Sequence, residues 1–234
     1  EKLQKVHKLF NWALDLNSIK YSPTMCAMRV YELQAIGNLM ISNYSIAVNN
    51  KFPNIFIVKN SFEVAKILNA YNEVEIYKMQ IDGIRNVMSH NTVYDKLNYI
   101  FKCIEEKEYI IKDKQVLVVC DKLTDKFEKI YQSQTYTNKD IIELEKLTNE
   151  IAEKYDYIAY MTNDIDYQRH YIEDMVNAFK YTASDYITIS SRIENGKIEG
   201  INHDYIDKPS DIRISIFGSK KYDAIKTIEN KYIK

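Results

Sequence analysis

Glycine is scarce in this 234-residue chain, with only five: Gly37, Gly83, Gly196, Gly200 and Gly218. Loops that cradle phosphates through backbone N–H groups need several close glycines. Neither G-x-G-x-x-G nor G-x-x-x-x-G-K-[ST] occurs, which disfavours a dinucleotide oxidoreductase or a P-loop NTPase. Cysteine is also sparse. Cys26, Cys103 and Cys120 are odd in number and far apart, so neither a metal spacing nor a disulfide framework is visible. A reducing cytoplasm is the expected home. An excess of one charge is lacking too. Thirty-two basic residues stand against thirty-three acidic ones, so no global field favours nucleic acid or anionic lipid. The longest uncharged run, Leu33 to Asn50, is loaded with Asn, Ser and Gln and does not read as a membrane span.

What is present is ordinary globular composition, 46% hydrophobic and 28% charged, at a length that suits one large domain or two small ones. No signal-peptide pattern opens the chain. It begins at Glu1 rather than Met, so a piece of a longer protein is one expectation. Tyrosine is frequent, at twenty residues. Most fall where helices and strands pack, so core roles are favoured over sugar or base stacking.

Leu3, Val6, Phe10, Ala13 and Leu14 have helical spacing over residues 2–16. Thr24 is placed to cap a helix running to Ala35, with Gly37 just past its end. Leu39–Ile41 and Ile55–Val58 read as short strands. Asn60, Ser61 and Glu63 open a further helix through Leu68. Two more helices follow, over roughly 74–89 and 92–104. The charge cluster Glu105–Glu108 marks the expected boundary between segments 1–108 and 109–234.

The second segment restarts with the wholly apolar Val116–Cys120, typical of a central parallel strand. A helix through Phe127, Ile130 and Tyr131 follows. Then come a strand at Ile141–Ile142, a charged helix over 144–154, and a strand at Tyr157–Met161. A helix over 170–181, a strand at Tyr186–Ile189, a turn at Asn195–Gly196, a strand at Ile212–Phe217 and a terminal helix complete the pattern. Alternating strands and helices predict the α/β class: two small Rossmann-like segments with mostly parallel sheets flanked by helices.

Two constellations can carry chemistry. Asp164-x-Asp166 follows the Tyr157–Met161 strand, and ligands in open α/β sheets bind at the carboxyl ends of strands. Two carboxylates there can hold Mg²⁺ or Mn²⁺ against a diphosphate. As a bare pattern it better suits a polar loop leading into a helix, with Asp166 at or near the helix N-terminus. The stretch from Tyr157 to Tyr167, the helix Tyr171–Tyr181 and the phrase Gln132-Ser-Gln-Thr-Tyr-Thr-Asn-Lys-Asp-Ile-Ile142 resemble the core of inverting GT-A glycosyltransferases over about residues 112–190. That resemblance implies that Asp164 and Asp166 are the metal and diphosphate ligands. The connection from Ile142 to Tyr157 is shorter than in that family. No catalytic base is identified; Glu194, Glu199, Asp204 and Asp207 are candidates by residue type only. His170 and His203 are isolated and read as surface or packing residues.

The second constellation is Ser22-Pro-Thr-Met-Cys-Ala-Met-Arg29-Val-Tyr-Glu32-Leu-Gln-Ala-Ile-Gly37, followed by Ile41-Ser-Asn-Tyr-Ser45. It resembles the nucleotide-sugar half of GT-B glycosyltransferases, near spore-coat and surface-polysaccharide enzymes. By that resemblance Glu32 bonds the ribose, Thr24 lies at the phosphate end, Arg29 counters phosphate charge and Ser45 lines the site. Read from the residues alone, Arg29 and Glu32 are an i,i+3 pair on a solvated helix face.

Together these imply a glycosyltransferase, or a fragment of one. It would move a sugar from a nucleotide sugar to a bacterial surface glycan or teichoic-type polymer, in the cytoplasm or at the inner face of the membrane. The alternative is a non-catalytic module acting as scaffold or oligomerisation element, with a second copy or a partner glycosyltransferase domain. Nucleic acid and a transmembrane segment are not expected; peripheral membrane association is compatible with the acceptor.

Overall fold

A computed structural model describes residues 2–106, 110–189, 192–194, 197–199, 206–209 and 211–221. The chain divides into two compact units, residues 1–110 with 193–198, and residues 111–192 with 199–234.

In the first unit, α1 (Lys2–His7) leads to β1 (Trp12–Asp15), α2 (Met28–Ala35), β2 (Leu39–Asn43), α3 (Ile46–Lys51) and β3 (Phe56–Val58). Then come α4 (Ser61–Leu68), α5 (Glu73–His90) and α6 (Val93–Cys103). The three strands form a parallel sheet in the order β1-β2-β3, with Asp15 level with Ser42 and Asn43 level with Val58. Ala13, Val30, Leu33, Met40, Val48, Phe52 and Ile55 make its core. The expected helix over 2–16 is not formed as such. It stops at His7, and Trp12–Asp15 is extended. Ala13 and Asp15 are buried while Phe10 and Leu14 are each 60% exposed, the reverse of a helix with those residues inward. Pairing with β2 supplies a period of two that overrides the local spacing.

Helix starts follow the side chains that satisfy free N–H groups. Asn60 accepts from the Glu63 N–H at 3.0 Å, as expected. Asn72–Glu75 and Thr92–Asp95 are reciprocal capping boxes for α5 and α6. Thr24 does not cap. The helix begins at Met28 after Ala27, without a side-chain cap, because the Ser22 hydroxyl holds a separate turn by accepting from Met25 N–H at 3.2 Å. Gly37 closes α2 at φ +91°, a conformation that glycine adopts without Cβ strain.

The second unit contains β4 (Val116–Cys120), α7 (Asp125–Ser133), β5 (Lys139–Glu143), α8 (Asn149–Ala152), β6 (Tyr157–Met161), α9 (Tyr171–Phe179) and β7 (Tyr186–Thr188). β8 (Arg192–Glu194) and β9 (Lys197–Glu199) form a two-stranded ribbon that falls mostly to the first unit, and β10 (Ser215–Gly218) follows in the second. The main sheet runs β5-β4-β6-β10-β7. β4 is parallel to both neighbours, and β10 is antiparallel to β6 and β7. Every residue of β4 is buried because both faces are covered. Val116, Val118 and Cys120 face the cluster with Phe127, Ile172 and Met175; Leu117 and Val119 face the one with Ala152, Ile158 and Phe217.

The α/β architecture with flanking helices matches the expectation. Two local readings in the second unit differ. The helix over 144–154 is a 3-10 turn, Leu144–Lys146, then the short α8, because Thr148 caps a new start by accepting from Ile151 N–H. The strand expected at 212–217 begins as a 3-10 turn, Ile212–Ile214, with only 215–218 extended. The Asn195–Gly196 turn and the terminal helix lie outside the described residues. Among the described residues no helix is long and apolar enough to cross a membrane.

Candidate functional site

Each unit presents one polar constellation at the carboxyl edge of its sheet. In the first unit it centres on Asp15, the last residue of β1, which is fully buried. A buried carboxylate requires partners. Asp15 accepts from Arg29 Nε at 2.5 Å, Asn17 Nδ2 at 2.7 Å and Ser42 Oγ at 3.4 Å. Asn17 and Asn43 bond each other twice, Asn17 N–H to Asn43 Oδ1 at 2.7 Å and Asn43 Nδ2 to Asn17 O at 2.9 Å. These bonds tie the chain leaving β1 to the end of β2.

Arg29 lies in the first turn of α2, where the helix dipole disfavours a cation. The Asp15 carboxylate offsets that cost. Arg29 Nη2 donates to Leu16 O at 2.8 Å, and Nη1 has no partner among the described residues. The side chain stays 48% exposed, so the guanidinium is anchored on one side and open on the other.

Glu32 is exposed and has no partner among the described residues; Arg29 pairs with Asp15 and not with it. Thr24 is exposed, and its carbonyl accepts from Lys51 Nζ at 3.4 Å. Ser45 is fully buried at the start of α3, and its hydroxyl lacks a partner among the described residues. Burial pushes the Cys26 thiol up, while Lys51 and Arg29 nearby act to lower it. Asp15 and Lys51 are the residues that sequence reasoning missed here. Asp15 sits inside a stretch that reads as helix, and Lys51 reads as an ordinary helix-end lysine.

In the second unit the Asp164–Asp166 loop follows β6 directly. β4 connects through α7 to β5 on one side, and β5 returns through α8 to β6 on the other. The carboxyl ends of β4 and β6 therefore flank the point where the strand order reverses, the place where ligands bind in such sheets. The two loops there are cross-linked. Thr124 Oγ1 donates to Asn163 Oδ1 at 2.6 Å, Lys126 Nζ to Asn163 O at 2.6 Å, and Asn163 Nδ2 to Lys122 O at 3.2 Å. The Tyr160 hydroxyl donates to Asp121.

Because β10 is antiparallel to β6, its leading end stands beside the same loop. Arg213 lies there. Its Nη2 donates to Asp211 Oδ2 at 2.6 Å, and its Nη1 to Asp164 Oδ2 at 2.7 Å. The Thr162 hydroxyl donates to the other Asp164 oxygen. The Thr162 hydroxyl, then Arg213, holds the Asp164 carboxyl below its usual range, and Arg213 does the same for Asp211. Tyr167 is buried. Its hydroxyl accepts from Thr162 N–H at 3.1 Å and donates to Arg213 O at 2.6 Å, and burial pushes its pKa up to about 12. Asp166 is exposed and has no partner among the described residues. Arg213, Asp211 and Tyr167 were not legible as site residues; Arg213 is 49 positions from Asp164.

No group of three or more His, Cys, Asp or Glu that can hold a metal occurs among the described residues. A preformed all-protein cage is thus not present in that part of the chain. Asp164, bonded to Thr162 and Arg213, and the exposed Asp166 are the two carboxylates that this loop offers; Mg²⁺ is usually held by one or two carboxylates with waters and ligand phosphates. At the ends of β4 and β5, on the other side of β4 from this loop, is a cavity of about 130 Å³ lined by Cys120, Leu123, Ile141, Ile142, Glu143 and Lys146. It is smaller than the usual ~300–1,000 Å³ of a whole small-molecule site. Glu143 in its wall pairs with Lys146 at 2.7 Å.

Glu194 and Glu199 lie on β8 and β9, Asp207 is exposed, and Asp204 and His203 lie outside the described residues. His170 Nδ1 is 2.8 Å from Glu173 and 3.1 Å from the Thr135 hydroxyl, a packing role at the start of α9.

Fold and constellations define a two-unit α/β protein with a polar carboxyl edge on each sheet. No protein-family model matches the sequence, and no curated protein is similar to it.

Proposed function

We propose that the chain is a glycosyltransferase, or a piece of one, that uses a nucleotide sugar to extend a bacterial surface glycan or teichoic-type polymer. The observation that carries this reading is the acidic loop at the strand-order reversal of the second sheet, Asp164 and Asp166 beside β4. A Mg²⁺ or Mn²⁺ ion held by Asp164 and Asp166 would supply charge stabilisation to a departing nucleotide diphosphate. The chain's own part is positional. Thr162 and Tyr167 fix the loop, and Lys126 holds the Asn163 carbonyl beside it. In the first unit, Arg29 presents an open guanidinium face to an anion, with Thr24, Ser45 and Glu32 as the further nucleotide-sugar contacts.

The test is calorimetric titration with nucleotide sugars, with and without Mn²⁺. Binding by the wild type that falls at least tenfold in Asp164→Ala/Asp166→Ala, with a metal-independent part lost in Glu32→Ala, supports the reading. Absence of binding by the wild type overturns it.

One observation favours the scaffold alternative: Asp164 is already paired with Arg213, and Asp166 stands apart from that pair. A carboxylate committed to a guanidinium suits a structural latch. Light scattering after size-exclusion chromatography tests this second reading, and a monomer that transfers sugar from a nucleotide sugar ends it.

A further inference from the structure

We infer that Asp15 is the positioning residue of the first unit's anion site, acting through Arg29. The inference rests on the nucleotide-sugar reading of that unit and adds a residue outside the 22–45 stretch that motivates it.

Asp15 is the one fully buried carboxylate among the described residues, and it lies at the carboxyl end of a parallel strand. Its three donors come from three separate places in the chain: the loop after β1, the end of β2 and the first turn of α2. Of these donors only Arg29 is charged, and it is the exposed one; Asn17 is part-buried and Ser42 fully buried. Asp15 takes Nε and the Leu16 carbonyl takes Nη2, which fixes the plane of the guanidinium. Nη1 is left without a partner among the described residues. A flexible arginine loses side-chain entropy when it binds an anion; one already held in its bound orientation loses less.

A carboxylate that only stabilises the fold and one that aims a binding group differ in a double-mutant cycle on affinity. The probes are the diphosphates of adenosine, guanosine, cytidine and uridine, titrated into the full chain by calorimetry. Arg29→Ala is expected to weaken the best of the four about tenfold or more. Asp15→Asn is expected to lose much of the same factor. The double variant is expected to bind no more weakly than Arg29→Ala alone, because Asp15 has nothing left to aim. Losses that multiply in the double variant, or an Asp15→Asn protein that binds as the wild type does, overturn the inference and leave the nucleotide reading standing. A wild type that binds none of the four removes the nucleotide reading and the inference with it. If Asp15→Asn does not fold, Arg29→Lys carries the test. It keeps the charge and loses the fork, so it should bind nearly as weakly as Arg29→Ala; wild-type affinity in Arg29→Lys overturns the inference.

Discussion

Removing Arg29 should destabilise the first unit more than removing both members of its ion pair. Arg29→Ala leaves the Asp15 carboxylate fully buried without its counter-charge. Breaking a buried pair in this way costs about 3–5 kcal/mol. Two features reduce that figure: Arg29 is 48% exposed, and Asn17 and Ser42 still donate to Asp15. The expected loss is about 2–3 kcal/mol. In Asp15→Asn/Arg29→Ala the buried charge is gone, so the double variant should regain roughly 1 kcal/mol over Arg29→Ala. The assay is urea unfolding followed by fluorescence of the single tryptophan. Trp12 lies on β1 with its ring 5.6 Å from that of Phe56, so it reports the first unit directly. Such a probe is needed because two units need not unfold together. A double variant less stable than Arg29→Ala by the full cost of Asp15→Asn would show that no buried charge is left stranded, and the reasoning would fail.

Two predictions concern the second unit. Tyr167→Phe removes the hydroxyl that joins Thr162 N–H to the Arg213 carbonyl, so near-UV circular dichroism in urea should show a loss of about 1–2 kcal/mol. An unchanged midpoint would mean that the two backbone groups find other partners. Asp164 and Asp211 have folded pKa values below their ordinary value of 3.8. Their contribution to stability is therefore present above the unfolded-state carboxylate pKa and lost as pH falls through the lower folded values. Arg213→Met should remove the main cause for Asp211 and a smaller part for Asp164, whose first cause is the Thr162 hydroxyl, giving a shallower fall in stability below about pH 4 than the wild type. Parallel acid limbs in the two proteins would contradict that assignment.

The amino-acid order alone determined the elements whose signals are local. Val116–Cys120 reads as a strand covered on both faces, because five apolar residues in a row leave no side for water. Asn60–Glu63 and the positive φ at Gly37 follow from hydrogen bonds and sterics within a few residues. Alternation of such elements was enough for the α/β class. The positions of Asp164 and Asp166 after a buried strand were legible for the same reason.

Tertiary structure decided what each of those residues touches. Trp12–Asp15 is a strand because β2 lies alongside to pair with it, and no local spacing encodes that neighbour. The partner of Arg29 is Asp15, fourteen residues back, and not Glu32, three residues on. Arg213 reaches Asp164 only because β10 runs antiparallel to β6, bringing its leading end to the acidic loop. Pairing across a sheet joins residues at separations set by topology, and a carboxylate takes whichever cation the fold brings within about 3 Å.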